Sequence, residues 1–232
     1  MTHPDPSGRL TQAARGPLPL ALGELTAALA ASPSVADMAE VPHALQRLCE
    51  PVAGLRLLEE VDPGELLSLG EALVRRLTAL SSDSGRADSS VEASPLREAV
   101  WAWLDATRRS RFLRRIASRE EGPRWLDLVL TACEVSHYTT GTLLSRRAAT
   151  DPDRVWLRVV QKERIREHSV GAVRAMVDAF ARGLHSLWTA PPEGQPVAIL
   201  AENSLETAIA DLACLCGGLV NTTIPADVWR RF

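Results

Sequence analysis

Residues able to do chemistry are present in this chain, but they are scattered. The one lysine, Lys162, falls in an expected hairpin turn, where a solvated surface role is expected. Four cysteines, Cys49, Cys133, Cys214 and Cys216, form no C-x-x-C pair. Cys214 and Cys216 are two apart on an expected helix and so face different directions. Neither a metal site nor a disulfide framework is expected, and a reducing, cytoplasmic compartment fits. Tyr138-Thr139-Thr140-Gly141-Thr142 looks like the start of a phosphate-cradling loop. Leu143-Leu144-Ser145-Arg146 follows it without the second glycine or the lysine such a loop needs, so it reads better as a Thr-capped helix start. Arg108, Arg109, Arg111, Arg114, Arg115 and Arg119, with Trp101, Trp103 and Phe112 close by, could suggest RNA or an acidic partner. Glu98, Asp105, Glu120 and Glu121 offset that charge, so a solvated helix face is the reading adopted. His137 and His168 have no partner at motif spacing, and Glu134 with His137 reads as a helix-end pair. No residue is assigned to catalysis, to a cofactor or to a metal.

The whole-chain properties agree. A net charge of −3 over 232 residues gives no electrostatic case for nucleic acid or a membrane surface. The stretch Leu18 to Ala31 faintly mimics a signal peptide. Glu24 interrupts its apolar core, however, and an amphipathic first helix is expected there. No apolar run approaches the length of a membrane span.

The elements that would position any site divide into two kinds. Residues 1–138 read as all-helical. A helix is expected at Leu18 to Ala31, and another through His43 to Glu60, split or kinked at Pro51. Asp62-Pro63-Gly64-Glu65 starts a third, with Asp at the N-cap, Pro at N1 and Glu at N3. Its apolar stripe is Leu66, Leu69, Leu73, Leu77 and Leu80. The polar stretch Ser81 to Ser94 reads as a linker. Ser94-Pro95 is expected to open the next helix, which carries Val100, Trp103, Leu104, Phe112, Leu113 and Ile116 until Gly122-Pro123 breaks it. A last helix holds Trp125, Leu126, Leu128, Val129 and Leu130.

From residue 139 the pattern is α/β. A short helix at Leu143 to Ala149 ends in the turn Asp151 to Asp153. Val155 to Val160 is a strand, and Ile165 to His168 is its hairpin return. Ser169 caps a helix with Val173, Met176, Val177, Phe180 and Leu184 on its buried side. Val197 to Ala201 is a continuous apolar strand suited to cover on both faces. Asn203-Ser204 caps a helix ended by Gly217-Gly218, and Leu219 to Ile224 is a second strand, making a parallel βαβ unit the default. Two parallel strands are marginal alone, so this sheet needs further cover.

This order resembles the opening of the adenylate-forming (AMP-binding) superfamily, which includes the acyl-CoA synthetases. The resemblance rests on Asp151-Pro152-Asp153-Arg154, Ala181-Arg182-Gly183-Leu184, Gly194-Gln195-Pro196-Val197-Ala198-Ile199, Glu202-Asn203-Ser204, and Gly217-Gly218-Leu219-Val220 with Pro225. It covers residues 142–226, and no catalytic motif of the family is among them. The resemblance implies the N-terminal segment of a ligase that activates a fatty or other carboxylic acid through an acyl-adenylate, with ATP, magnesium and CoA. The family's Pro-Lys-Gly phosphate loop, magnesium acid, ribose Asp and late Lys all lie beyond Pro225 in its order. The chain is therefore expected to be an inactive fragment, as a truncated, split or gene-fragment product, that binds none of these cofactors. A downstream adenylation segment is the expected partner, and residues 140–232 alone are expected to self-associate. The alternative is a non-catalytic module that binds a protein through its helical half.

Overall fold

The computed structural model describes residues 26–27, 40–48, 59–82, 89–116, 120–161, 164–187 and 196–226. The chain divides into two compact units, Met1–Tyr138 and Thr139–Phe232. Its described residues are mainly helical, with two small two-stranded sheets confined to the second unit.

The first unit contains α1 (Glu40–Arg47), α2 (Pro63–Ser82), α3 (Ser89–Thr107), α4 (Ser110–Ile116) and α5 (Glu121–Ser136). The start of α2 follows its capping signal: the Glu65 N–H donates to Asp62 Oδ1 at 3.1 Å. Leu66, Leu69, Leu73 and Leu77 are fully buried, while Leu80 packs only partly against the same core. α3 packs on α1 and α2, and α5 packs on α2. Trp103 of α3 is the largest fully buried side chain, and its indole N–H donates to the Leu66 carbonyl at 2.8 Å.

Several sequence expectations for this unit need correction. The expected helix at Leu18 to Ala31 and the Pro51 split lie outside the described residues, apart from two helical residues at 26–27. Of the expected Ser81 to Ser94 linker, the two ends are helical. α2 continues to Ser82 and α3 begins at Ser89, leaving 83–88, which lie outside the described residues. Pro95 therefore sits inside α3 instead of opening it. There it removes one i→i−4 hydrogen bond and its ring crowds the carbonyl four residues back, a local cost that the helix bears. The long helix expected to run to Ile116 breaks at Arg108–Arg109, where Arg109 N–H bonds back three residues to Ala106. Gly122-Pro123 lies in the first turn of α5, where a proline without an N–H leaves no helical bond unmade.

The second unit contains α6 (Thr140–Thr150), β1 (Val155–Gln161), β2 (Arg164–Ser169), α7 (Val170–Ser186), β3 (Val197–Ala201), α8 (Leu205–Cys216) and β4 (Asn221–Pro225). β1 and β2 form an antiparallel hairpin against α7, with a register shift between Val155 and Leu157. β3 and β4 pair in parallel from Val197↔Asn221 to Ala201↔Pro225. Three helices start on hydroxyl caps: Thr139, Ser169 and Ser204 each accept an N–H three residues on, at 3.2 Å. α8 ends at Gly217, and Gly218 follows in the left-handed region at φ 68°.

α8 is the middle layer. Ile209 and Ala213 join Leu144, Val173 and Val177 of α6 and α7 in one core, while Ala210 and Cys214 meet Ile199 of β3 in a second. On α7, Val173 and Val177 are buried, but Phe180, expected on the buried side, is 40% exposed. Its neighbours Ala181 and Leu184 still pack against the two cores, so Phe180 lies off the covered face of α7.

Candidate functional site

The alternation of β3 and β4 puts Val197, Ile199 and Ala201 on the α8 side of the parallel sheet and Ala198 and Leu200 on the other. Their register partners on that outer face are Thr222 and Ile224. Ile199 is 9% exposed, whereas Leu200 is 47% exposed and Ala198 and Thr222 are exposed with it. Among the described residues, the cover on both faces expected for Val197 to Ala201 is present on the α8 face, while on the other Leu200 is exposed and Ile224 half-buried. Among the described residues, each of these strands pairs only with the other. Val220, just before β4, is 64% exposed. The result is an exposed apolar strip on the outer face of this pair.

The loop that imitates a phosphate cradle has other work. The Thr139 hydroxyl is spent on the Thr142 N–H. A Cβ built on Gly141 would lie 3.3 Å from Cys216 Cα, so this glycine lets α6 approach the end of α8. Its backbone is covered by a neighbouring helix, and these residues do not fit a nucleotide phosphate.

The arginine run is largely committed to carboxylates and carbonyls. Arg108 pairs with Asp105 at 2.6 Å, Arg111 with Glu59, and Arg115 Nη1 donates to the Val61 carbonyl at 2.8 Å. Arg114 joins Glu59, Arg111 and Arg115 around an open cleft of about 320 Å3. Trp103 and Phe112 are buried in the core, and the Trp101 indole donates to the Ser136 carbonyl. No aromatic face among these three is laid out for stacking bases. Lys162, Cys49 and Arg119 lie outside the described residues.

Glu134 and His137 meet through the backbone. His137 takes the left-handed cap of α5, φ 53°, and its N–H donates to the Glu134 carbonyl at 3.2 Å. His168 stands on β2 opposite Leu157. The thiols of Cys133, Cys214 and Cys216 are free, and burial raises the pKa of each. Cys214 faces the sheet and Cys216 the helices, as their spacing requires. Among the described residues, no group of three His, Cys, Asp or Glu side chains could hold a metal ion. No helix among them is long and apolar enough to cross a membrane.

The chain matches no family model, no curated protein and no solved structure.

Proposed function

We propose that residues 139–226 are the opening segment of an adenylate-forming, acyl-CoA-synthetase-like domain, and that this segment is inactive without the rest of such a domain. One observation carries the reading: a parallel β3–α8–β4 unit, bare on its outer face, follows a capped helix, a hairpin and a second capped helix. Three of the motifs that carry the resemblance fall at turns between elements, which supports the reading. Asp151 to Arg154 turns α6 into β1, Glu202-Asn203-Ser204 turns β3 into α8, and Gly217 to Val220 turns α8 into β4. ATP, magnesium and CoA belong to the complete family domain. No catalytic step is assigned to the residues described above.

The occupant we assign to the bare strip is a downstream adenylation segment, supplied as β-strands with alternating apolar side chains. Backbone edges give such a segment its hydrogen bonds, and Leu200 and Ile224 give it apolar contact. Without it the strip favours self-association. A reducing, cytoplasmic setting suits the free thiols.

Two measurements test this. The purified 232-residue chain is expected to show no ATP–pyrophosphate exchange with any carboxylic acid. Exchange that survives a contaminating-ligase control overturns the fragment reading. Light scattering after gel filtration is expected to show oligomers that Leu200→Glu converts towards monomer. A monomeric parent chain would remove the argument for an unfinished sheet.

A second reading, a protein-binding module in the helical unit, is favoured by Leu126 and Leu130. They are one turn apart on α5 and 51% and 62% exposed. If oligomers dissolve with Leu126→Glu or Leu130→Glu and persist with Leu200→Glu, this reading replaces the first.

A further inference from the structure

α5 has two faces of opposite kind. Leu128, Ala132 and Ser136, each four apart, are its buried row. Leu126, Leu130 and Glu134 share the same spacing and fall on the opposite side of the helix, with Asp127 beside them. All four are exposed, Leu126 by 51% and Leu130 by 62%.

The two carboxylates of this face do no work for the fold. Asp127 and Glu134 are bonded through their main-chain carbonyls, which accept from Thr131 Oγ1 at 2.9 Å and from the His137 N–H at 3.2 Å. Among the described residues, neither carboxylate has a hydrogen-bond or ion-pair partner. The only basic residue of α5, Arg124, is turned to α2, where it bonds Glu71 at 2.6 Å and also reaches Ser68. Glu134 stands in the last turn of α5, at the negative end of the helix dipole, where an acid costs stability and a base would add to it. An exposed leucine alone needs no explanation. Two on one row, beside two unpaired carboxylates and no free base, make a surface with a definite chemistry.

We propose that this face of α5 binds a basic amphipathic helix of another protein, an inference that rests on the protein-binding reading of the helical unit. Apolar side chains of the incoming helix cover Leu126 and Leu130, and lysines or arginines beside them meet Asp127 and Glu134. A cation next to Glu134 also meets the carbonyl end of α5. A second copy of α5 fits this face less well. Antiparallel pairing about Leu130 would bring Asp127 and Glu134 of the two copies together, like charge against like.

The test uses two synthetic helical peptides of about four turns, one of leucine and lysine with its leucines on one face, the other with glutamate for every lysine. Each is dye-labelled and titrated with the full chain, and binding is followed by fluorescence anisotropy. The leucine–lysine peptide is expected to bind saturably, and at least about tenfold more tightly than its acidic counterpart. Leu126→Ser with Leu130→Ser should weaken it by about tenfold or more, whereas Leu200→Glu on the parallel sheet should leave it unchanged. Asp127→Lys with Glu134→Lys should reverse the preference between the two peptides. Glu134→Lys alone should hold or raise the thermal midpoint, which separates a partner's contact from a structural one. Equal binding of both peptides that is lost in the leucine variant would overturn the basic partner and leave the protein-binding reading standing. Binding indifferent to the leucine variant would overturn both. No saturable binding of the leucine–lysine peptide would overturn the proposal, as would dimers of the chain alone that dissolve in the leucine variant, since these assign the face to a second copy.

Discussion

Gly70 gives the sharpest test of the first unit. It lies inside α2, where replacing glycine with alanine ordinarily stabilises a helix by about 1 kcal/mol. Here the opposite is expected. A Cβ at Gly70 would fall 2.4 Å from Trp103 Cε2, 2.6 Å from Cζ2 and 2.7 Å from Nε1. Trp103 is fully buried and cannot swing away. Its indole N–H reaches the Leu66 carbonyl, which is also the acceptor the helix ladder offers to Gly70 itself. The missing side chain is what lets the ring lie on the backbone and share that carbonyl. Forcing a methyl group into this contact costs about 1–3 kcal/mol in overpacking. Displacing the indole N–H leaves a buried donor unpaired, for about another 1–3 kcal/mol. Set against the propensity gain, Gly70→Ala should destabilise the unit by about 1–5 kcal/mol. That lowers its thermal midpoint by about 4 °C for each kcal/mol. Urea unfolding followed by circular dichroism measures the loss. The penalty should shrink in a Trp103→Phe background, because the two residues are coupled by contact. A neutral or stabilising Gly70→Ala, or an equal penalty in both backgrounds, would refute this account of the packing.

Asp62→Ala removes the side-chain cap of α2 and should cost about 1 kcal/mol, read as a shift in the urea midpoint at unchanged slope. The hydrogen bond from Arg124 to Glu71, at 2.6 Å, holds the Glu71 carboxyl below its usual range. A lowered folded pKa means its stabilisation is present at neutral pH and is lost as pH falls through that lowered value. Because the pair is largely solvent-exposed, Glu71→Gln should flatten the acid limb of stability against pH by less than about 1 kcal/mol. Cys214 is fully buried with its thiol pKa raised, first by burial. Maleimide should label it far more slowly in the native chain than in urea, as peptide mapping would show; equal rates would contradict its burial.

The helix starts were legible because a cap is a local device. Asp62, Thr139, Ser169 and Ser204 each bond an N–H three residues on, so the residue type and the position decide the matter together. Proline misled at Pro95 and Pro123 for the converse reason. A proline signals that an N–H is missing, and whether that matters depends on where in the helix it falls. The break between α3 and α4 has no glycine or proline to announce it. Beside it stand a local Asp105–Arg108 pair and the long-range Glu59–Arg111 pair, neither of which a residue pattern announces. The bare sheet face was only half legible. Val197 to Ala201 has no polar position to mark a solvent side, so cover on one face reads the same as cover on two.

Tyr138, the last residue of the first unit, carries a consequence for mechanical load. Its hydroxyl donates to the buried Asp105 at 2.9 Å, its ring stands edge-on to Trp101 at 6.3 Å, and its N–H is held by the Cys133 carbonyl. Tension drawn along the chain from residue 139 therefore meets a residue held by its backbone and at two points of its side chain before it reaches α5. Tyr138 acts as a strain relief, as a clamp does where a cable enters its housing. Pulling from the C-terminal side should have to tear out this ring before it can peel the helix that carries Leu128 and Ala132 into the core.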